Sequence, residues 1–307
     1  MKAFDTDIKP FDNSYKTNDI LQKDFNTLTI ENYTDIIYKF YTSLGEKKHP
    51  IAIVDLCCGY GKPTFNLFNN LLERNVDIEK VIGYDISEDM IKSAQDEYKE
   101  LSPKLNFKQQ DVENLTDKAE YDVVISLFGF HWMSNIQEVA SRIFESLKIP
   151  GKLMFFVPLE KMDLYSFREK FINDSSWSEC FKDMNHLKPF IENKEDYLDA
   201  FSQFFECEKE EAKTVIKDYT ETQFIQFLSS WMQEVRHLCS EQKYPVVKKI
   251  ISQSYVKELI DSIPELDSGN IIKTDNNILF TEHIFSYEGQ KNSDIMDSDI
   301  MGDILFE

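Results

Sequence analysis

The chain has 307 residues, 42% of them apolar and 13% aromatic, including 24 phenylalanines, and a formal net charge of −21. That length and apolar content can bury a large core as one domain, or as a domain with a cap. The acidic balance repels polyphosphates and anionic lipid, and no basic cluster interleaved with aromatics offsets it, which excludes nucleic acid and membrane surfaces as partners.

The first residues, MKAFDTDIKPF, contain no apolar signal core, and no apolar run reaches the roughly 18 residues of a membrane span. A soluble cytoplasmic protein without membrane insertion is expected. Residues 16–45 read as two helices, the second being ENYTDIIYKFYTSL. From residue 51 to 158, short β-rich runs alternate with helical stretches. IAIVDL is a strand, KPTFNLFNNLLER a helix, KVIGYDI a second strand, and SEDMIKSAQDEY a helix with Ser87 as N-cap. KLNFKQQDV and YDVVISLF are the third and fourth strands. NIQEVASRIFESL is a helix ended by Pro150 and Gly151, and GKLMFFVP is the fifth strand. Alternation at this pace predicts βαβ units on a parallel sheet with helices on both faces.

Residues 160–262 read as mostly helical and crowded with aromatics, among them Phe167, Phe171, Trp177, Phe181, Phe190, Phe201, Phe204 and Phe205. Residues 206–219 fit either strand or helix. TETQFIQFLSSWM opens with a capping box from Thr220 to Gln223 and is a helix. NNILFTEHIFSY is a late strand, most simply added at the sheet edge. The last stretch, SDIMDSDIMGDILFE, repeats Ser-Asp-Ile-Met and reads as a disordered acidic tail whose protein partner, if any, is unknown. The expected organisation is an N-terminal helical cover (1–45), a ligand-binding core (46–159), a helical lid with the final strands (160–287) and the tail (288–307).

Cys57, Cys58, Cys180, Cys207 and Cys239, with His49, His131, His186, His237 and His283, show no C-x-x-C or H-x-x-x-H spacing. Adjacent cysteines point apart, so no metal site is expected. The loop VDLCCGYGKPT follows a buried strand and opens a helix, at the carboxyl end of the sheet where ligands bind. Gly59 and Gly61 let a ligand approach the backbone, and Pro63 suits the first helical turn. Thr64 stands where a dinucleotide fingerprint needs its third glycine, which disfavours NAD and FAD. Asp85 follows Gly59 by about 26 residues, the place of a ribose-binding carboxylate in a βαβ unit. The third strand ends at Asp111 and Val112, where an acceptor could meet an adenine amine, and the fourth brings Ser126 to Met133 over the same crevice.

The set VDLCCGYG, GYDIS, QQDV, YDVVIS and LKIPGKLMFF resembles the class I S-adenosylmethionine-dependent methyltransferases. The resemblance implies a Rossmann-like α/β sheet, S-adenosyl-L-methionine as cofactor, and binding residues at Asp55, Cys57, Gly59, Gly61, Asp85, Ile86, Asp111, Val112 and Ser126. Cys57 departs from the glycine usual there, which puts the bending of the loop in question, while Cys58 falls where the family often has cysteine. SYKTNDILQKDF, FHWM and SSWSECFKDMNHLKPF are similar to segments of the juvenile hormone acid methyltransferases and related small-acid enzymes. This implies that Gln22 and Trp132 hold a substrate carboxylate. A carboxylate acceptor is ionised at neutral pH and needs no general base, whereas a hydroxyl or amine acceptor would use His131. The expected activity is O-methylation of a small, largely apolar acid. Two alternatives stay open: another small nucleophile with His131 as base, or a non-catalytic cofactor-binding interaction module.

Overall fold

The computed structural model describes residues 20–159, 193–224, 271–273 and 277–291. The chain divides into two compact units: Met1–Phe25, Glu160–Pro189 and Thr214–His283 form one, and Asn26–Leu159, Phe190–Lys213 and Ile284–Glu307 the other. The architecture is a Rossmann-like α/β sheet. Its strands are β1 (Ile51–Leu56), β2 (Ile78–Asp85), β3 (Leu105–Gln109), β4 (Tyr121–Leu127), β5 (Leu147–Pro158), β6 (Glu206–Thr220), β7 (Ile271–Lys273) and β8 (Asn277–Lys291). The strand order is β3-β2-β1-β4-β5-β8-β6, with β7 pairing beside β8. β1 to β5 are parallel and β8 runs antiparallel to β5, Phe155 facing Tyr287. In the other unit, β7 pairs antiparallel with β8, Ile271 facing Phe280.

The central strands read as continuous apolar runs because both faces of a parallel sheet are covered. Every residue of β1 and of β4 is buried. Side chains alternate between faces. On one face Ala52, Val54 and Leu56 join a cluster with helix α4 (Ile136–Ser146) and helix α5 (Lys194–Phe201). Phe155 is its centre, with ring centroids 4.8 Å from Phe201, 5.1 Å from Tyr287 and 5.5 Å from Tyr197. The other α-helices among the described residues are α1 (Ile20–Ser43), α2 (Lys62–Glu73) and α3 (Glu88–Tyr98). Ile30, Tyr33, Ile37 and Phe40 of α1 are buried at helical spacing.

Several expectations change. Residues 20–43 form one helix where two were expected, because no glycine or proline interrupts them. β8 is an interior strand, since residues 206–220 settle as β6 and take the place outside it. The strand also runs on through Lys291, four residues into the stretch read as tail. β3 stops at Gln109, leaving Asp111 to cap a short 3-10 turn over Val112–Asn114. The capping box at Thr220 forms in both directions: the Thr220 N–H donates to Gln223 Oε1 at 2.9 Å, and the Gln223 N–H to Thr220 Oγ1 at 3.3 Å. Phe201, Phe204 and Phe205 are core residues, buried against α4 and β8. Phe167, Phe171, Trp177, Phe181 and Phe190, with the rest of residues 160–192, 225–270 and 274–276 of the expected lid and residues 292–307, lie outside the described residues. Among the described residues no helix is long and apolar enough to cross a membrane.

Lys291 closes β8 onto α4. Its ammonium is buried, donates to the carbonyls of Phe144 at 2.6 Å and Leu147 at 2.8 Å, and sits 4.1 Å from the centre of the Phe144 ring. It thus satisfies carbonyls left open at the helix end, where the dipole is negative. Lys291→Met should lower unfolding stability by about 2 kcal/mol or more, because it leaves those carbonyls buried and unpaired; chemical denaturation checks this, and an unchanged midpoint would refute it.

Candidate active site

β1 ends at Leu56 and α2 opens at Lys62. The intervening loop takes left-handed backbone at Cys57 (φ 62°), Gly59 (φ 54°) and Gly61 (φ 75°). Glycine adopts this region freely, whereas cysteine carries its Cβ into it at a cost. The loop is pinned to the end of β2. The Cys58 N–H donates to the Tyr84 carbonyl at 2.9 Å, and the Gly59 N–H to Asp85 Oδ2 at 2.9 Å. The other oxygen of Asp85 accepts the Ser87 N–H at 2.9 Å, and Ser87 Oγ accepts the Met90 N–H at 3.4 Å, forming the expected cap of α3. Burial raises the Asp85 pKa, opposed by the hydrogen bonds from Ser87 and Gly59.

The two cysteines face different neighbours. A Cβ on Gly129 would stand 2.6 Å from Cys57 Cβ and 2.6 Å from Ser126 Oγ, so the missing methyl of Gly129 is what admits the Cys57 side chain. A Cβ on Gly83 of β2 would likewise stand 2.7 Å from Cys58 Sγ. Burial first, then the carboxylates around the loop, hold both thiols well above the usual thiol range. They are protonated packing groups at neutral pH. Neither behaves as a nucleophile.

Asp55, the last buried carboxylate of β1, accepts the Thr64 hydroxyl on Oδ2 at 2.6 Å. Its Oδ1 is buried with no hydrogen-bond partner among the described residues. Burial raises its pKa from 3.8 to about 7; the Thr64 bond opposes this and the Asp85 charge adds to it. Thr64 was singled out only as a missing glycine, and its grip on Asp55 had no sequence signal.

The remaining expected residues divide. Ile86 is 51% exposed beside Asp85, an open apolar surface at a strand end. Gly59 is also open, since a Cβ there would find only Met90 Sδ at 3.8 Å. Asp111 spends its side chain on the 3-10 turn, accepting from the Glu113 N–H at 3.0 Å and the Asn114 amide at 2.6 Å, while Val112 is buried. The Ser126 hydroxyl is fully buried and donates to the Leu56 carbonyl at 2.8 Å, a strand-to-strand tie. After β4, Phe128 takes φ 57°, a conformation rare for a bulky side chain and one that collects at functional sites. The turn Phe130–Trp132 follows, with the His131 and Trp132 rings 4.7 Å apart. His131 is buried, its Nδ1 has no partner among the described residues, and burial lowers its pKa to about 3. Gln22 stands in the first turn of α1, in the other unit; its side chain lies outside the described residues. Gly129 and Phe128 were missed, though a glycine just past an apolar strand is a legible sign of close approach.

Exposed apolar surface at Ile86, open space over Gly59, lone pairs left on Asp85 and an orphaned acceptor on Asp55 together suit a nucleoside carrying a cationic tail. The comparisons agree with that chemistry. Residues 53–151 match the family described as methyltransferase domain. A malonyl-[acyl-carrier protein] O-methyltransferase of Bacillus cereus is 30% identical over 145 residues, 44% of this chain and 51% of the relative. A second protein of that name from Ilyobacter polytropus is 28% identical over 151 residues, 48% of this chain and 56% of the relative. The chain thus spans about half the length of the curated relatives it matches. The YcgJ protein of Bacillus subtilis shares the fold with a TM-score of 0.52 at 13% identity, covering 86% of this chain and 99% of that one.

Cys57→Gly should be neutral or stabilise by about 1 kcal/mol, by relieving the left-handed cysteine. Gly129 has φ −107°, so Gly129→Ala is a purely steric insult. It should cost about 1–3 kcal/mol, and most of that loss should vanish in the double variant. Thermal unfolding of all four proteins decides; strictly additive effects would disprove the exchange of volume.

The raised Asp55 carboxyl sets a pH dependence. Its contribution to the ligand-free protein is fully present below about pH 4 and is lost as pH rises through 7. Asp55→Asn, neutral throughout, should gain on the wild type by a few kcal/mol between pH 4 and pH 8. Urea unfolding at those two pH values measures it, and a constant difference would rule out a buried titrating carboxyl.

Proposed function

We propose that the protein, whose residues 53–151 match a methyltransferase-domain family, is a class I S-adenosylmethionine-dependent enzyme that O-methylates the carboxylate of a small, largely apolar acid to a methyl ester. The observation that carries the reading is the state of His131. Its ring is buried and its pKa is lowered to about 3. A general base works best with a pKa near the operating pH, so this imidazole is poorly matched to deprotonating a hydroxyl or amine. A carboxylate needs no such help, being ionised already.

When bound, S-adenosylmethionine would supply an electrophilic sulfonium methyl group for the acceptor oxygen, with S-adenosylhomocysteine as the thioether left behind. The chain contributes position and dryness. The loop over residues 57–61 and Asp85 would orient the nucleoside, with Ile86 against its base. The Trp132 indole N–H would donate to an acceptor oxygen, and the resemblance to the small-acid enzymes gives Gln22 the matching donor role. Phe128 and Phe156, ring centroids 4.9 Å apart, give the end of β4 an apolar wall that suits a hydrophobic acid. Two curated relatives carry names that specify O-methylation of a malonyl-[acyl-carrier protein], which fits a carboxyl acceptor.

Labelled methyl transfer to a panel of fatty, terpenoid and tricarboxylic acids, with base-labile product, tests the reaction. Gln22→Ala or Trp132→Phe should each lower kcat/KM by about 10- to 200-fold, as for a lost hydrogen bond to a charged group. His131→Ala should cost less than either. A silent Gln22 with a dominant His131 would favour a hydroxyl or amine acceptor. Cofactor binding without turnover on any acceptor would make the protein an interaction module.

A further inference from the structure

The turn that carries His131 and Trp132 is fastened on both sides. Before it, the Phe128 N–H donates to the Phe156 carbonyl at 2.8 Å; within it, the Trp132 and Met133 N–H groups donate to the carbonyls of Gly129 and Phe130 at 3.1 and 3.2 Å. After it, one carboxylate oxygen from a different segment gathers three donors. Glu113 Oε1 accepts the Ser134 hydroxyl at 2.7 Å, the Asn135 N–H at 3.2 Å and also the Ser134 N–H.

Helix capping does not explain the contact, because α4 begins at Ile136 and Asn135 caps it, its Oδ1 accepting the Glu138 N–H at 3.2 Å. Nor does the need to satisfy buried donors, because Ser134 and Asn135 are exposed and water could serve them. What a carboxylate adds there is position, through charge-assisted hydrogen bonds that are stronger than neutral ones. Its base is firm. Asp111 Oδ1 accepts the Glu113 N–H at 3.0 Å, the neighbouring Val112 and Leu115 are buried in the core, and Arg142 of α4 donates to the Leu115 carbonyl at 3.1 Å.

We propose that Glu113 is a positioning residue for methyl transfer: it fixes the exit of the turn and thereby the aim of the Trp132 indole N–H at the acceptor oxygen. Trp132 lies two residues before Ser134, so freedom at Ser134 becomes freedom at the indole. A misplacement of about 1 Å can cost about 100-fold in rate. The inference rests on the acceptor role proposed for Trp132.

Fluorine NMR of the fluorotryptophan-labelled full chain reads the indole directly, the Trp132 resonance being the one that Trp132→Phe removes. Glu113→Ala should shift or broaden that resonance and lower kcat/KM for the acceptor by about 10- to 100-fold, with affinity for S-adenosylhomocysteine unchanged by calorimetry. The fold should survive, since the released donors turn to water and Asp111 still holds the main-chain N–H of residue 113. Glu113→Gln keeps an acceptor oxygen on a side chain of the same length, so it should recover most of the activity and the wild-type resonance. An unmoved resonance, a moved one with kcat/KM unchanged, no recovery in Glu113→Gln, or an equal loss of S-adenosylhomocysteine affinity would overturn the assignment. Full activity in Trp132→Phe, or no turnover by wild-type protein on the acid panel, would remove the reading on which it rests, a result distinct from these.

Discussion

The carboxylate of Asp85 is the tie on which the candidate site depends. One oxygen accepts the Gly59 N–H and the other the Ser87 N–H, so a single side chain joins the β1 loop to the start of α3. The loop cannot take its left-handed turns at residues 57, 59 and 61 without something to hold its amides, and Asp85 does so from the neighbouring parallel strand. Burial raises the pKa of that carboxylate, and the two N–H donors oppose the rise.

The side-by-side cysteines follow from the same geometry. Position 57 demands a conformation suited to glycine, yet carries a cysteine, and its side chain fits because Gly129 after β4 has none. The volume has been moved from one strand end to the next. With Phe128 also left-handed, two strained residues flank that contact, and such strain persists only where the surroundings over-determine it.

Buried charge is treated differently at the two ends of the sheet. At the amino end, Asp122 is fully engaged: His49 Nε2 lies 2.7 Å from Oδ1, and the Ala52 N–H and Lys148 ammonium donate to Oδ2 at 2.8 and 2.9 Å. At the carboxyl end, Asp55 Oδ1 and His131 Nδ1 are left without partners among the described residues. An unpaired buried polar atom is costly, and it is tolerated where a ligand can complete it. The fully engaged Asp122 and the partly engaged Asp55 thus lie toward opposite ends of the parallel strands.

The sequence by itself determined the alternating strands and helices, the parallel sheet, the glycine loop and the spacing to Asp85, because periodicity and turn chemistry are local properties. It also placed the cap at Ser87 and the capping box at Thr220. It was silent or wrong where contacts between distant segments decide. Whether residues 206–220 extend or coil, and whether β8 is an edge, depended on which strand covers which. Ser126 looked like a ligand group and became a strand tie to Leu56; Thr64 looked like a lost glycine and became the partner of Asp55. The raised pKa of Asp55 and the lowered pKa of His131 are consequences of desolvation. Burial is produced only when the chain folds, so only the tertiary structure could assign these groups their chemistry.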